Sequence, residues 1–258
     1  MDERLHAQLR EVGAAHWWYE GRRRILSSVL GGVLGSSTDR RVLEIGCGSG
    51  AMLPMLSQFG LVDAIEPDPG AVAFCRQQFG GLATVTEGRV PDDLRPGADY
   101  DLVAAFDVLE HLEDDTSGLR AITRVLRPGG YLVATVPTFP SLWGRQDELS
   151  HHFRRYRKRG LEDLVAATEL EIERLTYFNA LLFPPIAAVR LGNRAMQPLR
   201  RFGAGRAHDR SDFDTGPGGS ARLSSVLAAV FGLERHLLRR TNLPVGVSLL
   251  LVARRPNG

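Results

Sequence analysis

The sequence is poor in cysteine and has no long uninterrupted hydrophobic segment, and each shortage excludes a class of protein. Cys47 and Cys75 are the two cysteines among 258 residues, too few for a disulfide framework or for a zinc site of cysteine alone. The longest apolar run, residues 180–189, contains two prolines and falls short of the ~20 apolar residues that span a bilayer. The first residues carry acids and lack the apolar segment of a secretory signal, so we expect a cytoplasmic protein in a reducing environment.

Neither sign of charge is in excess, since 32 basic residues face 30 acidic ones and the net charge is +2. This balance gives no support for a nucleic-acid partner. The arginines are nevertheless clustered in four segments, which read GRRR, FRRYRKR, LRRF and LLRR. Solvated helix faces are the commoner reason for such clusters, but the clusters also fit an anionic ligand or lipid headgroups. We therefore add peripheral contact with a membrane to the expectation of a cytoplasmic protein.

Strand and helix patterns alternate through the centre of the chain. Short apolar runs predict five strands, which read RVLEIG, LVDAIEPD, LATVTEG, YDLVAAFDV and YLVATVP. Helical patterns lie between them, including one with Pro69 in its first turn and Gly80 after its end. A later helix, TSGLRAITRVLRPGG, is expected to stop at Pro-Gly-Gly. Such alternation predicts an α/β fold with a parallel sheet and right-handed crossovers.

The pattern changes after residue 140. Residues 141–160 are polar, aromatic and basic and predict a loop. Helical spacing follows at LEDLVAATEL, and the alternation in EIERLTYF and GVSLLLVARR predicts two further strands. Between these strands lie two helical stretches, separated by the glycine-rich residues 203–220. We expect this tract to be mobile, and whether it acts as a lid stays open.

The segment RVLEIGCGSGA places three glycines directly after the first predicted strand. A glycine loop at this point lets a ligand approach the backbone at the carboxyl ends of the strands. Gly46, Gly48 and Ala51 fit the dinucleotide pattern G-x-G-x-x-A. Glu66 closes the second strand at the distance where an acid accepts hydrogen bonds from ribose hydroxyls. On these residues a nicotinamide-dependent oxidoreductase is an open alternative.

A carboxylate, Glu44, lies two residues before the first glycine. It would repel a pyrophosphate, whereas it can orient the ammonium of a cationic ligand. S-adenosylmethionine carries an ammonium and a sulfonium and no phosphate. An unpaired buried carboxylate costs several kcal/mol or takes up a proton, so Glu44 needs a partner. The alternative is that Glu44 caps a nearby helix or pairs with an arginine.

Four ordered segments resemble the successive motifs of class I S-adenosylmethionine-dependent methyltransferases: VLEIGCGSG, AIEPD, YDLVAAFDVLEHLED and RVLRPGGYLVATVP. The resemblance runs from about residue 40 to 137 and is closest to the ubiquinone and menaquinone type, the small-molecule methyltransferases of types 11 and 12. It implies a Rossmann-like α/β sheet of seven strands in the order 3-2-1-4-5-7-6, with the seventh antiparallel. It also implies S-adenosylmethionine as cofactor and S-adenosylhomocysteine as product.

The resemblance assigns a set of cofactor-binding residues as well. They are Glu44, Gly46, Cys47, Gly48, Glu66, Pro67, Arg89, Val90, Phe106, Asp107 and Val108. It implies that the glycine loop wraps the methionine part, that Glu66 holds the ribose, and that the segment after the fourth strand forms the floor under the sulfur. Relatives often have Gly-Asp-Ala after the third strand, whereas Arg89 occupies the acidic position here. The adenine amino group is then left to the backbone or to Glu87.

We expect one domain over residues 1–258, because a chain of this length can bury a full core. A helical cap is expected over residues 1–38 and the cofactor-binding core over residues 39–140. Residues 141–258 would supply the acceptor-side loop, a helical lid insertion and the last two strands.

Methyl transfer to oxygen requires a base or a metal to remove the acceptor's proton. The segment DVLEH places Asp107, Glu110 and His111 on one face if it forms a helical turn, and some quinone-type O-methyltransferases resemble this with a divalent metal. We prefer the interpretation that Glu110 and His111 fix the loop around the fourth strand by hydrogen bonds, so no metal is predicted. His152 in HFRRY is the expected base and His111 the second catalytic candidate, since histidine titrates near neutral pH. A structural histidine in a basic loop is the alternative.

The acceptor is expected to be a small molecule that is apolar with an anionic or phenolic head, such as an isoprenoid, quinone or polyketide. O-methylation and C-methylation both remain open, as does a non-catalytic cofactor-binding subunit. Trp17, Trp18 and Tyr19 would cover the cofactor, form an apolar wall for the acceptor, or belong to the core. The basic residues 154–159 would hold an anionic group or be solvated. No nucleic-acid acceptor is expected, because FDVLEH stands where base methylases keep an Asn/Asp-Pro-Pro-Tyr/Phe motif.

Overall fold

The computed structural model describes residues 16–200 and 221–257. In chain order its main elements are α1 (Trp17–Leu34), β1 (Arg41–Ile45), α2 (Leu53–Leu56), β2 (Leu61–Glu66), α3 (Pro69–Phe79), β3 (Ala83–Glu87), β4 (Tyr100–Phe106), α4 (Asp115–Val125), β5 (Leu126–Pro137), α5 (Arg145–Leu149), α6 (Lys158–Ala166), β6 (Glu171–Phe178), α7 (Phe183–Arg200), α8 (Ala221–Leu238) and β7 (Ser248–Arg254). Short 3₁₀ turns at Leu109–His111 and Pro140–Leu142 follow β4 and β5. The tract 203–220, expected to be mobile, lies outside the described residues.

The strands form one seven-stranded sheet in the order β3-β2-β1-β4-β5-β7-β6, as the resemblance implies. Neighbouring strands from β3 to β5 pair in parallel, whereas β7 pairs antiparallel with both β5 and β6. The strand order reverses between β1 and β4, and sheets of this kind bind ligands beyond the carboxyl ends of the strands at such a point. The predicted fold class is confirmed.

Both faces of the sheet are covered, because successive residues of a strand point to opposite faces. Val42 of β1 belongs to a buried cluster that includes Ile25 of α1. Its neighbour Leu43 belongs to a second cluster, which includes Ile122 of α4 and Leu161 of α6. Burial on both faces explains why the central strands read as nearly continuous apolar runs.

Helix α1 is packed closely against α8. A Cβ at Gly21 would stand 2.5 Å from Cδ1 of Phe231, so the glycine permits the approach of the two helices. Trp17 is 6% exposed and meets the same ring, and Trp18 stacks on it with 5.1 Å between ring centroids. Of the three alternatives for these two tryptophans, a place in the core is the one observed.

The predicted end of α4 is wrong. The helix was expected to continue to Pro-Gly-Gly, but it ends at Val125 and Leu126 already belongs to β5. Leu126 pairs with Tyr100 of β4, ahead of a bulge in the register. Arg127 precedes a proline, and such a residue is disfavoured in the helical region, so the chain leaves the helix early.

The prediction of a loop over residues 141–160 is wrong in part, because this segment contains α5. The helix begins after Gly144, whose N–H donates to Oδ2 of Asp147 at 2.9 Å. A carboxylate in the first turn satisfies a backbone donor that the helix itself leaves free. The polar composition of the segment hides this short helix from a search for apolar periodicity.

Candidate functional site

Three glycines in the left-handed region shape the loop between β1 and α2. Gly46, Gly48 and Gly50 have φ angles of 68°, 53° and 71°, which residues with a Cβ rarely adopt. A Cβ at Gly46 would also stand 3.0 Å from Cγ2 of Val108, the residue that follows Asp107. The backbone geometry therefore requires glycine here and leaves the loop free of bulky side chains at these positions.

Glu66, at the end of β2, joins the glycine loop to the start of α3. Its Oε2 accepts the N–H of Gly48 at 2.9 Å, and its Oε1 accepts the N–H of Asp68 at 3.0 Å. The residue is 5% exposed. The acid expected at the ribose thus lies directly against the loop expected at the methionine part, while its contact with a ribose stays a prediction.

The residues expected near the ribose and adenine lie at the same edge of the sheet. The N–H of Gly88 donates to the carbonyl of Glu66 at 3.1 Å, which brings the end of β3 beside the end of β2. Pro67 and Arg89 are exposed, and Val90 is half-buried. The structure places these residues together, and the contact of the adenine with any of them stays a prediction.

Glu44 of β1 is 2% exposed, and its Oε2 has no hydrogen-bond partner among the described residues. Burial raises its pKa well above the usual value, with a further increase from Cys75 and a decrease from Arg22. Within the described part of the chain Glu44 makes no ion pair, so pairing with an arginine is not observed. A buried carboxylate without a partner beside an open loop suits a cationic ligand.

Cys47, between the first two glycines of the loop, has its thiol turned into the protein. It is 6% exposed, and a hydrogen bond with Cys75 of α3, together with burial, raises its pKa. The thiol of Cys75 donates in turn to the carbonyl of Gly48 at 3.3 Å. Cys47 can therefore offer a ligand its backbone but not its side chain.

Asp107 lies just beyond β4, next to β5. Its φ is 57°, and its N–H donates to the carbonyl of Thr135 at 2.9 Å. Its carboxylate accepts hydrogen bonds from the guanidinium of Arg22 and, at 3.0 Å, from the hydroxyl of Thr135. Arg22 was missed in the sequence, although its helical spacing from Ile25 and Val29 places it on the buried face of α1.

The residues on either side of Asp107 complete the segment expected under the sulfur. Phe106 is half-buried, with the guanidinium carbon of Arg22 5.8 Å from its ring centroid. Val108 is 8% exposed and faces the glycine loop. The Phe106–Val108 segment, the glycine loop and Glu66 thus lie together at the carboxyl ends of neighbouring strands.

Glu110, His111 and His152 form a cluster that the sequence did not predict as a set. One possible ligand atom from each lies within 4.8 Å of the others, and the two imidazole rings are 4.6 Å apart. Glu110 is fully buried with no partner for either oxygen in the described chain, and burial raises its pKa. Burial, with the neighbouring His152, lowers the pKa of His111 to about 4. Two imidazoles and a carboxylate are a donor set that suits a divalent metal such as zinc.

The shared face considered for DVLEH is not formed. The 3₁₀ turn covers Leu109–His111 only, and Asp107 precedes it with a left-handed backbone. The carboxylate of Asp107 is bound to Arg22 instead of joining Glu110 and His111. The ligand set of Asp107, Glu110 and His111 is therefore not assembled.

Asp147 of α5 is the partner of His152, and no pattern in the sequence indicates this contact. Its Oδ1 is 2.9 Å from Nδ1 of His152 and accepts the Nε–H of Arg155 at 2.8 Å. Asp147 is fully buried, and although burial opposes ionisation, the hydrogen bond with His152 and the charge of Arg155 lower its pKa. An ionised Asp147 holds a proton on Nδ1 of His152 and leaves Nε2 free.

The basic loop is held by internal ion pairs at two of its arginines. Arg155 is buried against Asp147, and Arg154 lies 2.8 Å from Asp115 of α4. These two side chains therefore have acidic partners within the protein. They are neither free solvated charges nor free to bind an anionic ligand.

Tyr19 is half-buried. Burial raises its pKa, and the charges of Arg22 and Asp107 are close enough to affect that pKa as well.

The chain is similar to known methyltransferases. A family model described as a methyltransferase domain matches residues 17–175. A relative from Mycolicibacterium smegmatis, named a probable S-adenosylmethionine-dependent methyltransferase, is 31% identical over 137 residues, or 52% of this chain and 53% of the relative. The ubiquinone biosynthesis O-methyltransferase of Sodalis glossinidius is 28% identical over 171 residues, or 59% of this chain and 67% of the relative. The chain thus spans about half of the first relative and two thirds of the second.

A solved structure extends the similarity over nearly the whole chain. Geranyl diphosphate methyltransferase in complex with S-adenosylmethionine has a TM-score of 0.56 and is 15% identical, covering 90% of this chain and 85% of that chain. At such low identity the likeness shows a shared fold and no more.

Proposed function

Since the chain belongs to the methyltransferase-domain family, we propose that it is an enzyme that transfers a methyl group from S-adenosylmethionine to a small-molecule acceptor. The observation that carries this proposal is Glu44, which is 2% exposed and lacks a partner at Oε2, just before a loop of left-handed glycines. Such a carboxylate favours a cation, and S-adenosylmethionine presents an ammonium and a sulfonium. An anionic pyrophosphate would gain no such attraction at the same place.

The described residues fit S-adenosylmethionine at the carboxyl ends of β1, β2 and β4. Glu44 would hold the ammonium, the backbone of Gly46–Gly48 would lie along the methionine part, and Glu66 would accept hydrogen bonds from the ribose hydroxyls. When bound, the cofactor supplies an electrophilic methyl group, so the protein contributes mainly alignment and exclusion of water. Alignment of this kind lowers a barrier by about 7–11 kcal/mol.

His152 is the residue that we propose as general base for an oxygen acceptor. Its Nδ1 is hydrogen-bonded to Asp147 at 2.9 Å, so Nε2 is available to take the proton of the acceptor's hydroxyl. His111 is neutral at pH 7, since its pKa is about 4, and it would line the acceptor side as a hydrogen-bonding group. A carbon acceptor that is already nucleophilic would need neither histidine.

An apolar acceptor with an anionic or phenolic head is supported by aromatic residues at the carboxyl ends of β5 and β6. Phe139 stacks on Tyr177 with 5.6 Å between centroids and lies at the same distance from Phe183 of α7. All three rings are half-buried, so part of each is open to a ligand. The relative named a ubiquinone biosynthesis O-methyltransferase is consistent with an acceptor of the quinone kind.

Peripheral contact with a membrane is supported by the outer faces of α7 and α8. Val189 of α7 and Val226, Leu233 and Leu237 of α8 are each at least 44% exposed. Arg239 and Arg240 follow α8 and are also exposed, which favours anionic headgroups. In the part of the chain that the structure describes, none of the helices is long and apolar enough to cross a bilayer. The proposed contact is therefore one of apolar faces lying on the surface.

Calorimetry with S-adenosylhomocysteine and with NAD tests the proposal directly. We expect binding of the first and none of the second, and the reverse result would establish the oxidoreductase alternative. A screen with labelled S-adenosylmethionine should then compare phenols and quinols, isoprenoid diphosphates and polyketide-like phenols. Binding of the cofactor without transfer to any acceptor class would favour a non-catalytic subunit.

A further inference from the structure

Arg22 is a buried arginine in α1, a helix that the sequence predicts only as part of a helical cap. It is 3% exposed and lies on the same face of α1 as Ile25 and Val29, which are core residues. A guanidinium removed from water is costly unless acidic or polar groups receive its hydrogen bonds. The partners of Arg22 therefore indicate why an arginine stands at this position.

Those partners lie at the carboxyl ends of two central strands. Arg22 donates through Nη1 to Oδ2 of Asp107 and through Nη2 to the hydroxyl of Thr135. The hydroxyl of Thr135 donates to Oδ1 of Asp107 at 3.0 Å, which closes a ring of three side chains. The ring connects α1, β5 and the segment after β4 by contacts between residues that are far apart in the chain.

Asp107 needs such contacts because of its backbone. Its φ of 57° is unfavourable for a residue with a Cβ, and such residues keep this conformation only when their surroundings hold them. Its carboxylate is held by Arg22 and Thr135, and its N–H by the carbonyl of Thr135. The neighbours on either side, Phe106 and Val108, are fixed together with it.

The charge of Arg22 also acts on both sides of the site. It favours the ionised form of Glu44, toward the glycine loop, and of Glu110, toward His111 and His152. Asp107 and Tyr19 are its other titratable neighbours. Arg22 thus lies between the residues expected to bind the cofactor and those expected to face the acceptor.

We propose that Arg22 is a positioning residue for methyl transfer: it holds Asp107 so that the Phe106–Val108 segment keeps its shape beneath the cofactor's sulfur. The proposal rests on the proposed function. It makes α1 part of the site's framework, because the helix supplies the side chain on which that segment depends.

The test compares three variants of one helix. Arg22→Met should weaken binding of S-adenosylhomocysteine at least tenfold and lower the rate of methyl transfer. Arg22→Lys keeps the charge but loses the planar fork, so it should restore binding only in part. Arg24→Met is the matched control, since Arg24 is 41% exposed and pairs with Glu20 on the surface; its binding and rate should stay within twofold of the wild type.

A double-mutant cycle with Asp107→Asn separates positioning from a general loss of stability. If Arg22 acts through Asp107, adding Arg22→Met to Asp107→Asn should change the affinity by less than twofold. Fully multiplicative effects in folded variants would overturn the proposal, as would wild-type affinity and rate in Arg22→Met. If Arg22→Met does not fold, Arg22→Lys provides the test. Wild-type affinity and rate in Arg22→Lys would refute a role for the planar guanidinium of Arg22.

Failure of this proposal is distinguishable from failure of the proposed function. If the wild type binds neither S-adenosylmethionine nor S-adenosylhomocysteine, the proposed function fails and the role of Arg22 fails with it. If the wild type binds and transfers, and the Arg22 variants do the same, the role of Arg22 alone is refuted.

Discussion

Three buried carboxyl groups near the site differ in what surrounds them. Asp147 meets His152 and Arg155, whose hydrogen bonds and charge overcome the effect of burial and lower its pKa. Glu44 and Glu110 have unpartnered oxygens, and burial raises the pKa of each. The two sides of the site therefore differ: the ionised Asp147 orients a histidine, whereas the unpaired Glu44 lies where the ammonium of the cofactor is expected.

The first prediction concerns the pH dependence of cofactor binding. Because the pKa of Glu44 is raised, the free protein holds a proton there up to a pH above the usual range of a carboxyl group. An ammonium favours the ionised form, so binding should release this proton, and affinity should rise with pH until the raised pKa is passed. Calorimetry in buffers of different ionisation enthalpy counts the proton released.

Substitution of Glu44 provides the check on that assignment. Glu44→Gln should weaken binding and remove the proton release, because a neutral amide cannot titrate. Glu113→Gln, at an exposed position after the 3₁₀ turn, is the matched control and should bind as the wild type does. The same proton release in Glu44→Gln as in the wild type would show that another group is responsible.

The second prediction concerns the base. His152→Ala should lower kcat for an oxygen acceptor by about 10²–10⁴-fold, the usual contribution of a general base, while the affinity for S-adenosylhomocysteine stays nearly unchanged. His151 is adjacent and exposed, so His151→Ala is the control and should keep its turnover. Treatment with EDTA should leave the activity intact. If EDTA abolishes the activity and a divalent metal restores it, His152 is a metal ligand and not the general base.

Residue roles were predictable from the sequence only where they depend on local pattern. Gly46 and Glu66 could be singled out because a glycine loop and a strand-ending acid are features of a short segment. The partners of His152 and Asp107 could not, since contacts such as that between Arg22 and Asp107 join residues 85 positions apart. Whether any of these residues binds the cofactor stays a prediction.

At the scale of single elements, the loop after β1 shows how backbone conformation limits substitution. Its glycines lie in the left-handed region, and Gly46 also lacks room for a side chain beside Val108. By contrast, Gly31 in α1 is exposed, and a Cβ added there would meet nothing within 4 Å. These two glycines therefore differ in what an added methyl group would do.

The third prediction follows from that difference. Gly46→Ala should lower the free energy of unfolding by about 1–2 kcal/mol, the cost of a left-handed conformation for a residue with a Cβ, and should weaken binding of S-adenosylhomocysteine. Gly31→Ala should instead raise the free energy of unfolding by up to ~1 kcal/mol, since alanine is a better helix former than glycine. Urea denaturation measures both. A Gly46→Ala variant with unchanged stability and affinity would contradict the requirement for glycine.

Elements were predicted well where apolar periodicity is strong and poorly where it is weak. The strand EIERLTYF has the predicted bounds, Glu171–Phe178, because its alternation is clear. Helix α5 was missed because its start depends on one hydrogen bond from Gly144 to Asp147 in a polar segment. The early end of α4 was missed because pairing between Leu126 and Tyr100 is a tertiary contact.

In the molecule as a whole, the start of α7 lies at the same end of the sheet as the candidate site. Helix α7 begins shortly after β6, and Phe183 at its start contacts Phe139 beyond β5. A membrane contact made through α7 would thus bring an acceptor near the aromatic residues that we expect to receive it. The division into a cap, a cofactor-binding core and an acceptor-side region stays a prediction, while the sheet order implied by the resemblance is confirmed.

The fourth prediction tests the apolar face of α8 in the full chain. The double variant Leu233→Glu with Leu237→Glu should lose flotation with anionic vesicles, because it places acidic groups on the proposed contact surface. Binding by the wild type should weaken as salt is raised, since screening reduces attraction to the headgroups. The control places glutamate at Leu61 and Leu82, which are 80% and 45% exposed at the amino ends of β2 and β3. Equal flotation of both double variants would refute a role for α8.

The position of β7 has a consequence for how the protein is made. This strand is the last of the sheet to be synthesised, yet it lies between β5 and β6 and supplies the partners of both. While the ribosome is still translating α7 and α8, β6 has no strand beside it. Its backbone N–H and C=O groups are then free to pair with a strand other than β7. Protection during translation, whether by chaperones or by early packing of α6, is therefore a need that this strand order creates.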